Sequence, residues 1–262
     1  MSLAGQTVLV PRGGAWGQRV AGLIEARGGT ARVVPLIETV PAAQPQLHRA
    51  LERLATGGFD WVVTSSAAAA AVLHRQPVQA KVATVGPASA AALAEAGVRV
   101  DLQPVEDFSA AGMLAAWDQA AGTAPGQQIL VLRSDLARPD LADGLRRREC
   151  AVEAVTAYYT RALPVRPADR HALATGVMDT VLVTSGSVAR ALAPLSRSDH
   201  TLIACLGPVT AADARHVGLP VDVTAAQNTI EDLIEALDGA TGPNRGHRTM
   251  SGPDLRPRPG DY

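Results

Sequence analysis

Six short turns carry most of the side chains that could bind or transform a ligand. Each turn follows a short apolar run and leads into a helical pattern, and its residues are small, polar or glycine. A helix start offers free backbone N–H groups and the positive end of the helix dipole, which favour an acidic, multiply charged ligand. Alternatively, such turns serve only as helix caps. The turns are residues 11–14, 64–67, 86–89, 134–138, 184–187 and 207–210.

Three arginines and one tyrosine add groups that could bind or protonate such a ligand. Arg12, Arg133 and Arg138 follow strand-like segments, where they are either solvated surface residues or partners for carboxylates. Tyr158 lies in a strand-like segment, residues 155–160, where its ring could simply cover apolar surface. Because a tyrosine hydroxyl is protonated at neutral pH, Tyr158 is also a candidate general acid.

Motifs for other chemistry are missing from the sequence. Gly13, Gly14 and Gly17 do not have the spacing of a dinucleotide-binding loop, and the chain contains no Walker sequence. The histidines do not pair at metal-binding spacing, Cys150 and Cys205 occur singly, and no nucleophile elbow is found. We therefore expect no nucleotide, metal or other cofactor.

Three sequence modules occur twice in the same order, which indicates two homologous units. Matching landmarks are 121 positions apart for Gly86 and Gly207, and 120 positions apart for Thr64 and Thr184. This spacing is far longer than the period of a solenoid. The three modules begin at Gln6, Phe59 and Val82, and begin again at Gln127, Met178 and Ile203.

Each unit alternates short β-branched strands with helical patterns, and the strands are apolar throughout. Such strands are typical of parallel sheets covered by helices on both faces, so we expect an α/β fold. Aromatic residues make up only 3% of the chain, so the core must be built from Ala, Val and Leu. Residues 239–262 are rich in Gly, Pro and Arg, and we expect them to form a disordered tail.

Charge and hydropathy argue against two classes of partner. The net charge is −1 and no long basic run occurs, so we expect no nucleic-acid binding. The apolar stretches are shorter than the ~20 residues of a membrane span, so we expect no membrane partner. No export signal is recognisable either, which predicts a cytoplasmic protein.

The ordered motifs resemble those of the uroporphyrinogen-III synthase family over residues 5–238. The chain shows V-L-V-x-R, D-W-V-V-T-S and V-G-P-x-S-A, then L-R-x-x-x-A-R-x-x-L and Y-x-T, and finally D-T-V-L-V-T-S-G-S and C-L-G-P-V-T-A. The G-P-V-T-A run followed by G-L-P-V is the most specific part. Two positions depart from the pattern: Ser89 replaces a common threonine, and Leu202 stands where relatives can carry a lysine.

This resemblance implies two similar flavodoxin- or Rossmann-like parallel-sheet domains with the chain interleaved between them. Residues 1–35 and 164–238 would form domain 1, and residues 42–154 would form domain 2. Residues 36–41 and 155–163 would form a two-stranded β-ladder that acts as a hinge, with the substrate held in the cleft. Composition alone does not decide between this layout and two consecutive domains.

The resemblance also implies a reaction, the dehydrative cyclisation of hydroxymethylbilane to uroporphyrinogen III with inversion of ring D. This is a cofactor-independent hydro-lyase step in the biosynthesis of haem, sirohaem and cobalamin. Tyr158 would protonate the leaving hydroxyl group, and a set of polar residues would bind the substrate carboxylates. That set is Arg12, Thr64, Ser65, Ser66, Gly86, Ser89, Arg133, Arg138, Thr184, Ser185, Ser187, Gly207, Thr210 and Thr229.

The resemblance further implies how the protein meets its substrate. A monomer would receive hydroxymethylbilane by transient hand-over from the upstream bilane-forming enzyme.

Two other functions would suit a two-domain α/β protein. A non-catalytic sensor or carrier of an acidic, tetrapyrrole-like ligand would use the same hinge and turns, whereas a nucleotide-dependent enzyme would need the glycine fingerprint that this sequence lacks.

Overall fold

The chain forms two five-stranded sheets, each with helices against both faces. These come from a computed structural model that describes residues 3–74, 76–120 and 124–241. In chain order the strands are β1 (Thr7–Val10), β2 (Thr30–Val33), β3 (Ile37–Pro41), β4 (Trp61–Thr64), β5 (Lys81–Thr84), β6 (Gln128–Ser134), β7 (Ala151–Ala162), β8 (Thr180–Val183), β9 (Leu202–Cys205) and β10 (Val223–Thr224).

The helices connect these strands and cover both sheets. A short 3₁₀ turn, Ala71–Leu73, follows the third helix. In chain order the helices are α1 (Gly14–Glu25), α2 (Pro45–Ala55), α3 (Ala67–Ala70), α4 (Pro87–Glu95), α5 (Ala110–Gln119), α6 (Asp140–Arg146), α7 (Pro167–Ala174), α8 (Gly186–Leu192), α9 (Pro208–His216) and α10 (Ile230–Thr241).

The two sheets take their strands from different parts of the chain. The first sheet has the order β10-β9-β8-β1-β2 and is parallel throughout. The second has the order β3-β7-β6-β4-β5 and is parallel except for the pair β3–β7. We call the first sheet with α1 and α7 to α10 the first lobe, and the second sheet with α2 to α6 the second lobe. The expected α/β class with parallel sheets is confirmed.

An antiparallel ladder forms where the chain passes between the lobes. Ile37 of β3 lies opposite Ala162 of β7, and Pro41 lies opposite Tyr158. The strand β7 starts earlier than the predicted ladder segment 155–163, because its first half pairs in parallel with β6 from Ala151 onward. The domain boundaries and the hinge motion stay predictions.

Alternation along the strands gives each sheet two buried faces. In the first lobe, Val181 and Val183 pack against one group of helices, and Leu182 packs against the other. The second lobe follows the same rule and also carries Trp61 and Trp117, whose ring centroids lie 4.9 Å apart. Burial of both sheet faces explains why the strand sequences are continuously apolar rather than alternating between apolar and polar residues.

Hydrogen bonds at the strand starts correct the repeat spacing by one residue. The Asp60 carboxylate accepts a bond from the Gln128 backbone N–H at 2.7 Å, and Asp179 accepts the same bond from Thr7 at 2.7 Å. Asp60 and Asp179 are therefore equivalent and lie 119 positions apart. The predicted match of Thr64 with Thr184 was wrong, because Ser65 is the true counterpart of Thr184.

The last helix extends beyond the predicted start of the tail. The apolar side chains of Ile230, Leu233 and Leu237 dock α10 onto the first lobe, and Ala240 packs against the same core. Residues 239–241 are therefore helical rather than disordered, and residues 242–262 lie outside the described part. None of the described helices is both long and apolar enough to cross a membrane.

Candidate active site

A cleft of about 750 Å³ lies between the two lobes. Its second-lobe wall is largely apolar, with Val85, Phe108 and Leu141, and also carries arginines. Its first-lobe wall is largely polar. Aromatic or aliphatic walls with a few well-placed polar groups are the usual composition of a small-molecule site. The polar first-lobe residues are Thr184, Ser185, Thr210, Asp213 and Asn228.

The carboxyl ends of parallel strands supply both walls. Ser65 follows β4 and Val85 follows β5 in the second lobe, while Thr184 follows β8 in the first. Arg133 is the penultimate residue of β6. Ligands of open parallel sheets bind beyond this edge, where the loops converge. The fold thus turns the ligand-binding edges of both sheets toward one shared space.

Six of the predicted ligand-binding residues line this cleft, and they come from both lobes. The capping alternative also holds for one of them, since the Ser185 hydroxyl accepts a hydrogen bond from the Val188 backbone N–H at 3.3 Å. The six are Ser65, Arg133, Arg138, Thr184, Ser185 and Thr210.

Three predicted hydroxyl residues are used inside the fold instead. Thr64 is fully buried in β4, and its hydroxyl lies 3.3 Å from that of Thr84. Ser66 and Thr229 cap α3 and α10 by accepting hydrogen bonds from backbone N–H groups at 3.1 and 3.2 Å. Thr64 misses the cleft because of the one-residue offset in the repeat.

The other predicted residues of the turns stand beside the cleft lining without belonging to it. Ser89 is buried in the first turn of α4, and Ser187 forms a 2.8 Å hydrogen bond with Ser185. Gly86 and Gly207 directly precede α4 and α9. A Cβ atom on Gly207 would lie 1.7 Å from Oδ1 of Asn228, so glycine lets the Asn228 amide approach the turn.

Arg12 and Tyr158 lie outside the cleft lining, with Tyr158 on the ladder and Arg12 beside it. The Arg12 guanidinium sits 5.2 Å from the Trp16 ring centroid, beside a cavity of about 270 Å³ that Glu38 also lines. Burial lowers the pKa of Arg12, and its electrostatic interaction with Tyr158 opposes that shift. Tyr158 packs partly against the second-lobe core, in line with the alternative that its ring covers apolar surface.

Two polar atoms of the cleft residues are buried without a hydrogen-bond partner among the described residues. They are Nε of Arg133 in the second lobe and Oγ1 of Thr184 in the first. Within the described part of the chain, the Arg133 side chain forms one hydrogen bond, a long one from Nη1 to the Ala137 carbonyl oxygen at 3.4 Å. A buried, unpaired polar group costs about 1–3 kcal/mol. Both walls therefore hold a group that a ligand could satisfy.

One ion pair spans the cleft. Arg138, in the loop between β6 and α6, donates to the carboxylate of Asp213 on α9. Arg147 also lines the cleft from the second lobe, and its side chain is exposed. Within the described residues, no group of three or more His, Cys, Asp or Glu is placed to hold a metal ion.

Several cleft residues were not predicted from the sequence, among them Phe108, Arg147, Asp213 and Asn228. Phe108 and Asn228 each precede a helix-capping hydroxyl residue and lie 120 positions apart, so the repeat could have identified them as a pair. Asp213 lies one helical turn after Thr210, on a helix whose start was already a candidate. Arg147 carries no motif that would single it out.

Two α/β lobes that face each other across a cleft, with arginines on one wall and hydroxyl groups on the other, define a class of two-lobed α/β protein with a polar interlobe site. The family model described as Uroporphyrinogen-III synthase HemD matches residues 18–235. The chain belongs to the uroporphyrinogen-III synthase family.

Individual relatives agree with this assignment. A protein of Methanothermobacter thermautotrophicus, provisionally named uroporphyrinogen-III synthase, is 29% identical over 242 residues, covering 84% of this chain and 92% of the relative. A crystal structure of a uroporphyrinogen III synthase mutant from Thermus thermophilus aligns with a TM-score of 0.59 at 18% identity, covering 90% of this chain and 98% of that one.

A second solved structure repeats the likeness in fold. Uroporphyrinogen-III synthetase from Helicobacter pylori aligns with a TM-score of 0.60 at 14% identity, covering 88% of this chain and 96% of that chain. Because these sequence identities are low, the similarity to the two crystal structures shows a shared two-domain α/β fold and nothing about function.

Proposed function

We propose that the protein is a uroporphyrinogen-III synthase, which closes hydroxymethylbilane to uroporphyrinogen III with loss of water and inversion of ring D. The observation that carries this proposal is family membership over residues 18–235. The interlobe cleft supports it, because arginine and hydroxyl side chains from both lobes meet there. Family membership favours this enzyme over a sensor or carrier of a similar ligand.

The cleft suits both the carboxylates and the pyrrole rings of the substrate. Arg133 and Arg138 bind substrate carboxylates, since a planar guanidinium matches a carboxylate with two parallel hydrogen bonds. The hydroxyls of Ser65, Thr184 and Thr210 bind further carboxylates. The apolar second-lobe wall takes the pyrrole rings, whose carbon faces gain from leaving water. Among the other predicted residues, Arg12, Gly86, Ser89, Ser187 and Gly207 act at the margins of this cleft.

Holding the bilane in a bent shape is the main catalytic task. Loss of the terminal hydroxyl as water gives an azafulvene, which the far pyrrole attacks through its substituted carbon to form a spiro intermediate. Fragmentation and reclosure then invert ring D. Without the protein, the reactive intermediate closes without inversion, so orienting the two ends selects the product.

Tyr158 is the proposed acid that protonates the leaving hydroxyl. The tyrosine stands on the ladder between the lobes, and Arg12 lies near enough to interact with it electrostatically. Hinge closure at the ladder brings Tyr158 toward the bound substrate. A lid-like motion of this kind also excludes water from the reactive intermediate.

The setting of the reaction follows from the same proposal. The enzyme works as a monomer in the cytoplasm and receives its unstable substrate from the upstream bilane-forming enzyme. Neither a metal nor an organic cofactor takes part, because the substrate already carries the leaving group and the nucleophilic carbon.

An isomer-resolved product assay tests the proposed function. Purified full-length protein with hydroxymethylbilane should give the type III isomer, at the same rate with and without a chelator. The matched control without protein should give the type I isomer. Type I product alone, in the presence of folded protein, would reject the assignment.

A further inference from the structure

One ion pair connects the two lobes among the ion pairs of the described residues. It joins Arg138 of the second lobe to Asp213 of the first, on opposite walls of the cleft. The Asp213 side chain is 21% exposed and the Arg138 side chain 56% exposed. A Cβ atom on Gly186 would lie 2.3 Å from Oδ2 of Asp213, so the carboxylate occupies space that any other residue would fill.

The position of this carboxylate is unfavourable for the proposed substrate. Within the described ranges, the three arginines that line the cleft belong to the second lobe, and the facing first-lobe wall presents Asp213 among neutral side chains. In the free protein this carboxylate is paired with Arg138, one of the cations that the substrate needs.

We propose that Asp213 holds Arg138 across the cleft in the free protein and that a substrate carboxylate displaces it. This inference rests on the proposed function and assigns Asp213 a role in it. Asp213 is a positioning residue that acts through Arg138. It keeps the guanidinium aimed into the cleft, and it weakens substrate binding by competing for that same guanidinium.

Arg133 provides the internal contrast. Its Nε atom has no partner within the described ranges, so Arg133 is ready to bind a carboxylate at once. Arg138 must first exchange its partner. Exchange of one carboxylate for another costs little when the pair is partly exposed to solvent, since such pairs contribute little net energy. The first carboxylate therefore binds at Arg133 and a later one at Arg138.

A double-mutant cycle in KM tests the exchange. The variants are Asp213→Asn, Arg138→Gln and the double variant, with Glu235→Gln on the exposed face of α10 as a matched loss of one carboxylate charge. Asp213→Asn should lower KM about two- to fivefold, as expected for one released, partly exposed pair, with little change in kcat. Arg138→Gln should raise KM, and Asp213→Asn should then have no further effect.

Each outcome of the cycle has a distinct meaning. If Asp213→Asn lowers KM equally in both backgrounds, the carboxylate acts by simple repulsion and the exchange is wrong. An unchanged or raised KM in the single variant would also overturn it. Because Arg138 lies on an exposed loop, Arg138→Gln breaks the pair even if the α9 variant fails to fold. A wild-type protein that makes no type III isomer would sink the proposed function instead.

Discussion

In the first lobe the turn after β8 offers Thr184 to the cleft, and in the second lobe the turn after β4 offers Ser65. The same comparison holds above the two Gly-Pro turns, where Asn228 lies over Gly207 and Phe108 lies near Gly86. Equivalent positions thus carry polar groups in the first lobe and smaller or apolar groups in the second. Duplication supplied two similar scaffolds, and the chemistry of the cleft comes from the positions at which they diverged.

The two lobes also differ in the interiors of their strands, inside the core and away from the cleft. In the second lobe Thr64 lies opposite Thr84, and their hydroxyls face each other inside the core. In the first lobe the equivalent pair is Val183 and Cys205. Burial raises the pKa of the Cys205 thiol to about 11, so this cysteine acts as a small core residue. This difference between the lobes therefore concerns the core and not the cleft.

The ladder lies where the chain passes between the lobes, and two neighbouring tyrosines on it test whether it contributes to the chemistry. Tyr158→Phe should lower kcat by about 10²-fold, the low end for general acid catalysis because water can substitute, with little change in KM. The neighbouring Tyr159→Phe serves as the control and should leave kcat unchanged. Steady-state rates of type III formation provide the measurement. An unaltered kcat in Tyr158→Phe would mean that Tyr158 is not the general acid and that the two lobes catalyse the reaction by positioning the substrate.

The two equivalent arginines give the next largest effect. Arg12 and Arg133 are 121 positions apart, and this offset also relates the pair Thr7–Thr30 to the pair Gln128–Ala151. Arg133→Gln should raise KM about 10- to 100-fold, because a hydrogen bond to a charged group contributes about 1.5–3 kcal/mol.

Arg12→Gln is the matched control for the arginine comparison. Arg12 stacks on Trp16 outside the cleft lining, so its loss should change KM much less. Equal increases in KM for both variants would mean that the substrate bridges the two arginines. In that case both lobes would contribute positive charge to substrate binding.

How much of this could be predicted from sequence differs between the scaffold and the site. The repeat and the apolar strands predicted parallel sheets because strand burial on both faces leaves a local signature. The strand-end turns predicted Arg133 and Thr184 because the carboxyl edge of a parallel sheet is fixed by topology. These inferences needed no knowledge of how the lobes pack.

The rest depended on contacts between distant parts of the chain. Thr64 entered the predicted set because T-S repeats in both units, and only the hydrogen bonds of Asp60 and Asp179 reveal the one-residue offset. Arg138 and Asp213 are 75 positions apart, and nothing local to either residue predicts that they meet. Lobe packing brings them together, and that information is not present in any short motif.

A buried carboxylate of the first lobe allows a pH test against an exposed one of the second. Asp169 is 1% exposed and accepts hydrogen bonds from Arg32 at 2.9 Å and Arg166 at 2.7 Å. Burial alone raises the pKa of Asp169, but the bonds from the two arginines outweigh it and the pKa is lowered. Asp118 forms a solvent-exposed ion pair with Arg148, and the hydrogen bond from Arg148 lowers the pKa of Asp118 as well.

Asp169→Asn should therefore lower the free energy of unfolding by about 1.5–3 kcal/mol at pH 7. A depressed pKa gives stability that is present above the unfolded-state value of about 3.9 and is lost as pH falls through the folded-state pKa. The gap between wild type and variant should thus close in urea titrations below about pH 4. Asp118→Asn is the control and should unfold like wild type. A gap that persists at low pH would assign the loss to packing rather than charge.

The smallest effect compares the two ends of one first-lobe strand. Thr180 and Thr184 stand at opposite ends of β8, and the Oγ1 atoms of both are buried without a partner in the described part of the chain. Replacing either residue with valine removes an unpaired hydroxyl, so each variant should gain about 1 kcal/mol in urea unfolding.

Only Thr184→Val should affect the substrate, because Thr184 lines the cleft and Thr180 lies in the core. Loss of one neutral hydrogen bond should raise its KM about two- to tenfold, while Thr180→Val keeps the wild-type KM. A Thr184→Val variant that is less stable would show that its hydroxyl already has a partner in the free protein. Such a partner would mean that the hydroxyl belongs to the scaffold, as that of Thr64 does in the second lobe.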